Sequence, residues 1–363
     1  MHSINSVHSI NETVTPRVAV GSGPDSLIGH GSIDAHLISP AMLNIDSILL
    51  ARDFSPISDQ AFRYSLDLAR RTGATLHVLH AHVLHEDPET SRPDLLAADV
   101  DRIKRQLTQY GDGDDLEGGD AEVDVVKAVV RDVAAGPAIL SYADRHDIDL
   151  IALGTHGRRG VRRFLLGSVA EEVVRRADRP VLTVRGNETP EPELGPPLPT
   201  LDRILVPIDF SDPSRVALLH AQGLADVFDA SVDVFHVVQQ TMHPAFYVGG
   251  ITDIRDIDPN IEKKVKARIV AFIEETLRIP KTADGSSESP LDSGQVVPHM
   301  IIGAVDIEVP EFIDEHGSDL VVMSTKGQTG LDRVLLGSVA EKIVRIATCP
   351  VLTVKSGAHS LLS

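Results

Sequence analysis

The chain repeats itself. From Gly160 to Val184 it matches the stretch from Gly330 to Val354 at 17 of 25 positions. Such self-similarity means one folding unit used twice, so the fold must hold two equivalent places for it. Each copy follows an apolar run, Leu150 to Leu153 or Leu320 to Met323, of the kind a buried parallel strand makes. Gly154 and Gly157 sit where the first run ends. Gly167-Ser168 then opens an apolar-periodic helix through Val169, Val173 and Val174. Glycine permits positive φ and a close approach of backbone to ligand. A helix start offers free N–H groups and a partial positive charge, which suits an anion. Ser168 can cap the helix or donate its hydroxyl to a phosphate. Together these features predict a phosphate cradle, repeated at Ser324, Gly327, Gly337 and Ser338.

The rest of each half follows one order. First strands at Ile48–Leu50 and Ile204–Ile208 end in Asp53 and Asp209, each followed by Ser and Pro at a helix start. Helices are expected over about 58–72 and 214–227, and second strands at Thr75–His82 and Ser231–Gln239. Polar helical segments follow near 95–110 and 260–278. Third strands (Val123–Arg131, Val296–Gly303), helices near 137–146 and 306–316, fourth strands, the glycine loops and fifth strands (Val181–Arg185, Val351–Lys355) complete each unit. The pattern βαβαβαβαβ predicts an α/β fold with two tandem, doubly wound, parallel five-stranded sheets. Ligands in such sheets sit at the carboxyl ends of the strands near the switch point, where Asp53 and the glycine loop both lie. The expected boundaries are a disordered tail at 1–44, domains at 45–186 and 201–356, a proline-rich linker at 187–200 and a C-terminal tail at 357–363.

Composition narrows the partners. A net charge of −19 argues against general nucleic-acid or anionic-membrane binding. The single Cys349 excludes an intrachain disulfide framework and fits a reducing compartment. No apolar stretch is long enough to span a bilayer, and no basic-then-apolar leader opens the chain. The expectation is a soluble cytoplasmic protein.

Pro207-Ile-Asp209-Phe-Ser211, His236-Val237 and the spacing Gly-x2-Gly-x9-Gly-Ser resemble the universal stress protein family. The resemblance covers about 44–186 and 201–356. It implies a Rossmann-like, adenine nucleotide alpha hydrolase-like sandwich that binds ATP, ADP or AMP, with Mg²⁺ accompanying the phosphates. It also implies that the two units pair through their last strands as an internal pseudo-dimer, and two such chains could pair further as a homodimer. Carried over residue by residue, it places Asp53 and Asp209 beside the adenosine and the backbone of Ala81 and Val237 beside the adenine. The phosphates fall to Gly154, Gly157, Gly167 and Ser168, and to Ser324, Gly327, Gly337 and Ser338.

The halves depart from one another. Arg52 stands where the second half has Ile208, and could meet a phosphate, pair with Asp53 or block the site. Ser324 replaces a glycine, and serine resists positive φ. The first half is therefore expected to have the better phosphate loop, and the second the more regular nucleoside end. Arg158, Arg159, Arg162 and Arg163 follow Gly157, and such a cluster in an acidic chain favours a polyphosphate. His77, His80 and His82 lack a Cys or carboxylate partner that would complete a metal set, so no metal residues are expected. Cys349 reads as a buried, inert thiol. Neither Ser168 nor Ser338 has an evident His base, so no catalytic residues are assigned. The function expected is an ATP-binding sensor or regulator in stress response, acting on an unknown protein partner. The alternatives are a nucleotide-free scaffold and a slow ATPase.

Overall fold

The computed structural model describes residues 42–83, 101, 123–155, 166–185, 200–239, 253–279, 289–325, 336–357 and 359–362. The first half contains β1 (Ser47–Ala51), α1 (Pro56–Thr72), β2 (Thr75–Val83), β3 (Val125–Asp132), α2 (Ala135–Arg145), β4 (Leu150–Gly154), α3 (Ser168–Arg176) and β5 (Val181–Val184). The second contains β6 (Arg203–Pro207), α4 (Asp212–Phe228), β7 (Ser231–Gln239), α5 (Ile254–Ile257), α6 (Ile261–Leu277), β8 (Val296–Gly303), α7 (Val305–His316), β9 (Leu320–Ser324), α8 (Ser338–Ile346) and β10 (Val351–Val354). The segment expected near 95–110, apart from Asp101, most of the 187–200 linker and the tail before residue 42 lie outside the described residues.

Strand periodicity decides the layers. Along β1, Ile48 and Leu50 face one side while Leu49 faces the other, and all three are fully buried. Ile48 and Leu50 join a core with Phe62 and Leu66 of α1 and with Leu218 and Leu224 of α4. Leu49 joins the opposite core with Ile139 of α2, Val173 of α3, Ile313 of α7 and Ile343 of α8. Helices therefore cover both faces of the sheet. Fully burying one such Leu or Ile is worth about 1.5–3 kcal/mol.

The strand order is β3-β2-β1-β4-β5-β10-β9-β6-β7-β8. Within each half neighbouring strands are parallel, and the order reverses direction between β1 and β4 and between β6 and β9. The two five-stranded sheets join into one ten-stranded sheet because β5 pairs antiparallel with β10, with Leu182 opposite Leu352. The internal pseudo-dimer is thus present.

Reciprocal polar contacts fasten the seam. The Thr183 hydroxyl donates to the Val351 carbonyl at 3.1 Å, and the Thr353 hydroxyl to the Val181 carbonyl at 3.2 Å. Arg185 Nη1 reaches the Arg345 and Ala347 carbonyls at the end of α8, at 3.2 and 3.4 Å. Lys355 Nζ reaches the Arg175 carbonyl at the end of α3 at 2.9 Å, and also the Ala177 carbonyl. Each half so places a cation on the negative end of the other half's last helix.

Candidate functional site

Asp53 and Asp209 begin the site. Asp53 lies two residues beyond β1, where its Oδ1 accepts from the Ser55 N–H at 3.0 Å and from the Ser55 hydroxyl at 2.6 Å. Ser55 is the N-cap of α1, its oxygen accepting from Ser58 N–H at 3.2 Å, and Pro56 takes the first turn. The second half repeats this with more bonds. Asp209 Oδ1 accepts from the Ser211 N–H at 3.0 Å, the Ser211 hydroxyl at 2.5 Å and the Ser214 hydroxyl at 2.7 Å, while Ser211 caps α4. Tight bonding to serines fixes both carboxylates at the strand ends.

The residue after each Asp is bent into the left-handed region, with φ of 61° at Phe54 and 65° at Phe210. That is a costly conformation for a bulky residue, and such residues gather at functional sites. Each ring lies against a histidine at the end of the next strand. Phe54 and His80 have centroids 4.8 Å apart, and Phe210 and His236 4.4 Å. The histidines bond back across the strand ends, His80 Nδ1 to the Arg52 carbonyl and His236 Nδ1 to the Ile208 carbonyl, both at 2.8 Å. Ala81 and Val237 follow these histidines on β2 and β7.

Arg52 has contacts at the start of the first helix that the sequence did not signal. It is 3% exposed and turns under the start of α1, where it ion-pairs with Asp59 and bonds to Ser58. The reason is strand alternation: it holds the inward position that Ile208 fills in the second half.

The loop bases are alike in both halves. Thr155 N–H donates to the Val184 carbonyl at 2.9 Å, and the Thr155 carbonyl accepts from Gly167 N–H at 2.7 Å. Thr325 does the same with Val354 and Gly337, at 3.0 and 2.8 Å. Gly167 and Gly337 are the N-caps of α3 and α8, without a side-chain cap. Ser168 and Ser338 are therefore not caps. They are the first helical residues and are exposed. The Thr325 hydroxyl is buried at the base of its loop and has no hydrogen-bond partner among the described residues. Gly157, Arg158 and Gly327, together with the other loop arginines, lie outside the described residues.

Gly154 and Ser324 correct an expectation. Neither has positive φ. Gly154 is needed for closeness instead, since a Cβ there would meet Ile57 Cγ2 at 2.8 Å. Aligning the halves on Asp53 and Asp209, Pro213 stands in place of Ile57. Ser324 has no positive φ and so carries no left-handed backbone penalty, and its φ does not rank the second loop below the first. Gly337 is close-packed, as a Cβ would come 3.1 Å from the Thr325 carbonyl oxygen.

Arg268 of α6 was not signalled by any motif. Its guanidinium lies 4.1 Å from the Phe210 ring centroid, which sets a cation beside the second nucleoside end. Burial lowers the His236 pKa, the Ile208 carbonyl opposes that shift, and Arg268 lowers it further. His236 is therefore a neutral hydrogen-bond donor at pH 7. Cys349 is buried, and burial pushes its thiol up to about 12, against nucleophilic chemistry. His77 bonds to the Tyr142 hydroxyl at 3.0 Å. Among the described residues no three His, Cys, Asp or Glu side chains gather as a metal set, and no helix is long and apolar enough to cross a membrane.

Comparison with known proteins agrees with this geometry. The model of the universal stress protein family matches residues 44–185 and again 200–355. Universal stress protein MJ0531 of Methanocaldococcus jannaschii is 33% identical over 153 residues, covering 42% of this chain and 81% of that protein. Universal stress protein A homolog 1 of Coxiella burnetii is 34% identical over 154 residues, covering 42% of this chain and 94% of that one. Two solved structures share the whole tandem fold. A functionally unknown protein of Pseudomonas aeruginosa aligns with TM-score 0.55 at 17% identity, over 87% of this chain and 95% of its own. A universal stress protein of Archaeoglobus fulgidus aligns with TM-score 0.53 at 18% identity, over 86% and 98%. The matches divide at the same place as the internal repeat, and the chain belongs to the universal stress protein family, with two copies of its domain in tandem.

Proposed function

We propose that this protein binds an adenine nucleotide (ATP, ADP or AMP) at each of two sites and acts in the cytoplasm as a nucleotide-dependent regulator of stress response. The observation that carries this is a repeated juxtaposition at the switch points of the sheet. A serine-held Asp follows the end of β1 or β6, and the neighbouring strand, β4 or β9, leads at its own end to the N-terminus of α3 or α8, which has no side-chain cap. Asp53 and Ala81, or Asp209 and Val237, would hold the nucleoside. Gly154, Gly157, Arg158, Gly167 and Ser168 would hold the phosphates in one half. Ser324, Gly327, Gly337 and Ser338 would do so in the other, where the Thr325 hydroxyl, without a partner among the described residues, also fits an anion's oxygen. Mg²⁺ would be carried by the phosphates, because magnesium is commonly held by them with waters. Residues 45–186 and 201–356 are the two binding units, joined by 187–200. A regulatory protein would read the ligand through the arginine-bearing loop that follows Gly157, and a second chain could pair with the first.

Purifying the full chain without added nucleotide, denaturing it and identifying what is released tests the reading. Adenine nucleotide is the expected product. No released ligand, together with no thermal shift on adding ATP and Mg²⁺, contradicts it. In that event the scaffold reading stands. Sustained product release over many turnovers would instead make the protein a slow ATPase.

A further inference from the structure

The chain turns back on itself after β10. Gly357, at φ 73°, reverses the direction, and residues His359 to Leu362 lie across the seam between the halves. His359 N–H donates to the Asp178 carbonyl at 2.9 Å, and its Nε2 meets Asp149 Oδ1 at 2.7 Å. The Leu361 carbonyl accepts from Asn44 N–H at 2.6 Å, and Leu362 makes an antiparallel bridge with Leu43. Leu361 itself is fully buried. It helps close an apolar cavity shared by both halves, with Tyr64 and Leu68 from α1, Leu224 and Phe228 from α4, and Leu182 and Leu352 from the paired strands. Gly223 of α4 gives the segment room, since a Cβ there would come 3.2 Å from Leu43 and 3.6 Å from Leu362.

One bond in this arrangement depends on protonation. His220 of α4 is 1% exposed, and its Nδ1 donates to the Val216 carbonyl at 2.8 Å. With Nδ1 protonated, neutral His220 keeps a lone pair only on Nε2. The Leu361 N–H donates to that nitrogen at 3.2 Å. A protonated His220 has no lone pair to offer and would turn an N–H against the Leu361 N–H, leaving only the more distant Ser360 hydroxyl, 3.5 Å from Nε2, as an acceptor for it.

We propose that the seam cavity is an internal docking site for the chain's own residues 359–362, and that His220 latches them there only while it is neutral. Acidification releases the segment and uncovers the apolar cavity. Burial lowers the His220 pKa and only the Val216 carbonyl opposes the shift, which fits a docked state that resists protonation. Ionisable groups on the neighbouring elements include His359 and Asp149, bonded to each other, Asp46 beside Asn44, the Asp67–Arg71 pair of α1, Asp226 of α4, and Tyr64, whose pKa is pushed up to about 12, with Asp319 close to it. Release would open His220 to water and lessen the desolvation that lowers its pKa, so a falling pH favours release.

Hydrogen exchange at the Leu361 amide, measured on the full chain from pH 7.5 to 5 and corrected for intrinsic exchange, tests the latch. Protection is expected to fall on acidification, by up to about tenfold per pH unit. His220→Gln retains an acceptor that does not titrate, and should make protection independent of pH. His359→Gln should retain the wild-type slope. Flat protection in the wild type, a slope retained in His220→Gln, or a slope lost in His359→Gln would each overturn the proposal. Leu361→Ala should bind an apolar fluorescent dye at pH 7.5 as the wild type does at pH 5. A wild type that takes up no dye at pH 5 would refute the uncovering of the cavity.

Discussion

Asp209 holds three donors on one oxygen, and this fixes both the cap of α4 and the left-handed turn at Phe210. Asp209→Ala should lower stability by about 2 kcal/mol, the scale of losing charge-assisted bonds and a cap together. Asp53→Ala, with one serine rather than two as its bonded partner, should cost less. Urea unfolding of both variants checks the order, and the reverse order contradicts it. Gly154 makes a second case. Gly154→Ser should cost about 1–3 kcal/mol by overpacking Ile57. Adding Ile57→Ala should recover at least half of that loss in thermal melting, whereas strict additivity would show that the contact is not the cause. The placement of Asp53, Asp209 and the Gly-Ser pairs at strand and helix ends was legible in the sequence because short motifs carry it. The inward turn of Arg52 was not, since it depends on which face of β1 residue 52 occupies. Nor was Arg268, which meets Phe210 only through the packing of α6.

At the scale of elements, every strand and helix inferred from apolar periodicity within the described residues is present. Ends differ by a residue or two, as with α1 beginning at Pro56 rather than near 58. The repeat itself announced the pairing of β5 with β10 through the family resemblance. The crossed cations were not foreseen, because Arg185 and Lys355 find their carbonyls on the opposite half. Arg185→Met and Lys355→Met should each cost about 0.5–1.5 kcal/mol. Their effects should add, since they cap different helices. Denaturant midpoints of the two single variants and the double variant test this. A double variant no worse than either single one would mean that the two caps are not independent.

Taken whole, the molecule is built on one continuous ten-stranded sheet, with buried and half-buried histidines on its strands and helices. Burial lowers the pKa of His77, His220 and His236, so each is neutral in the folded state at pH values where the unfolded chain begins to take up protons. Stability should therefore fall as pH drops below about 6.5, and level off once the folded-state values are passed. Urea midpoints from pH 7.5 to 5 would show it, and a midpoint that rises on acidification would contradict the sign. The central claim is that this chain carries two adenine-nucleotide sites. Titrating ATP and Mg²⁺ calorimetrically into the nucleotide-stripped full chain tests it most directly, with Gly167→Val and Gly337→Val measured alongside. The account predicts two equivalents bound per chain and one for each variant, whereas no binding, or an unchanged stoichiometry in both variants, would contradict it.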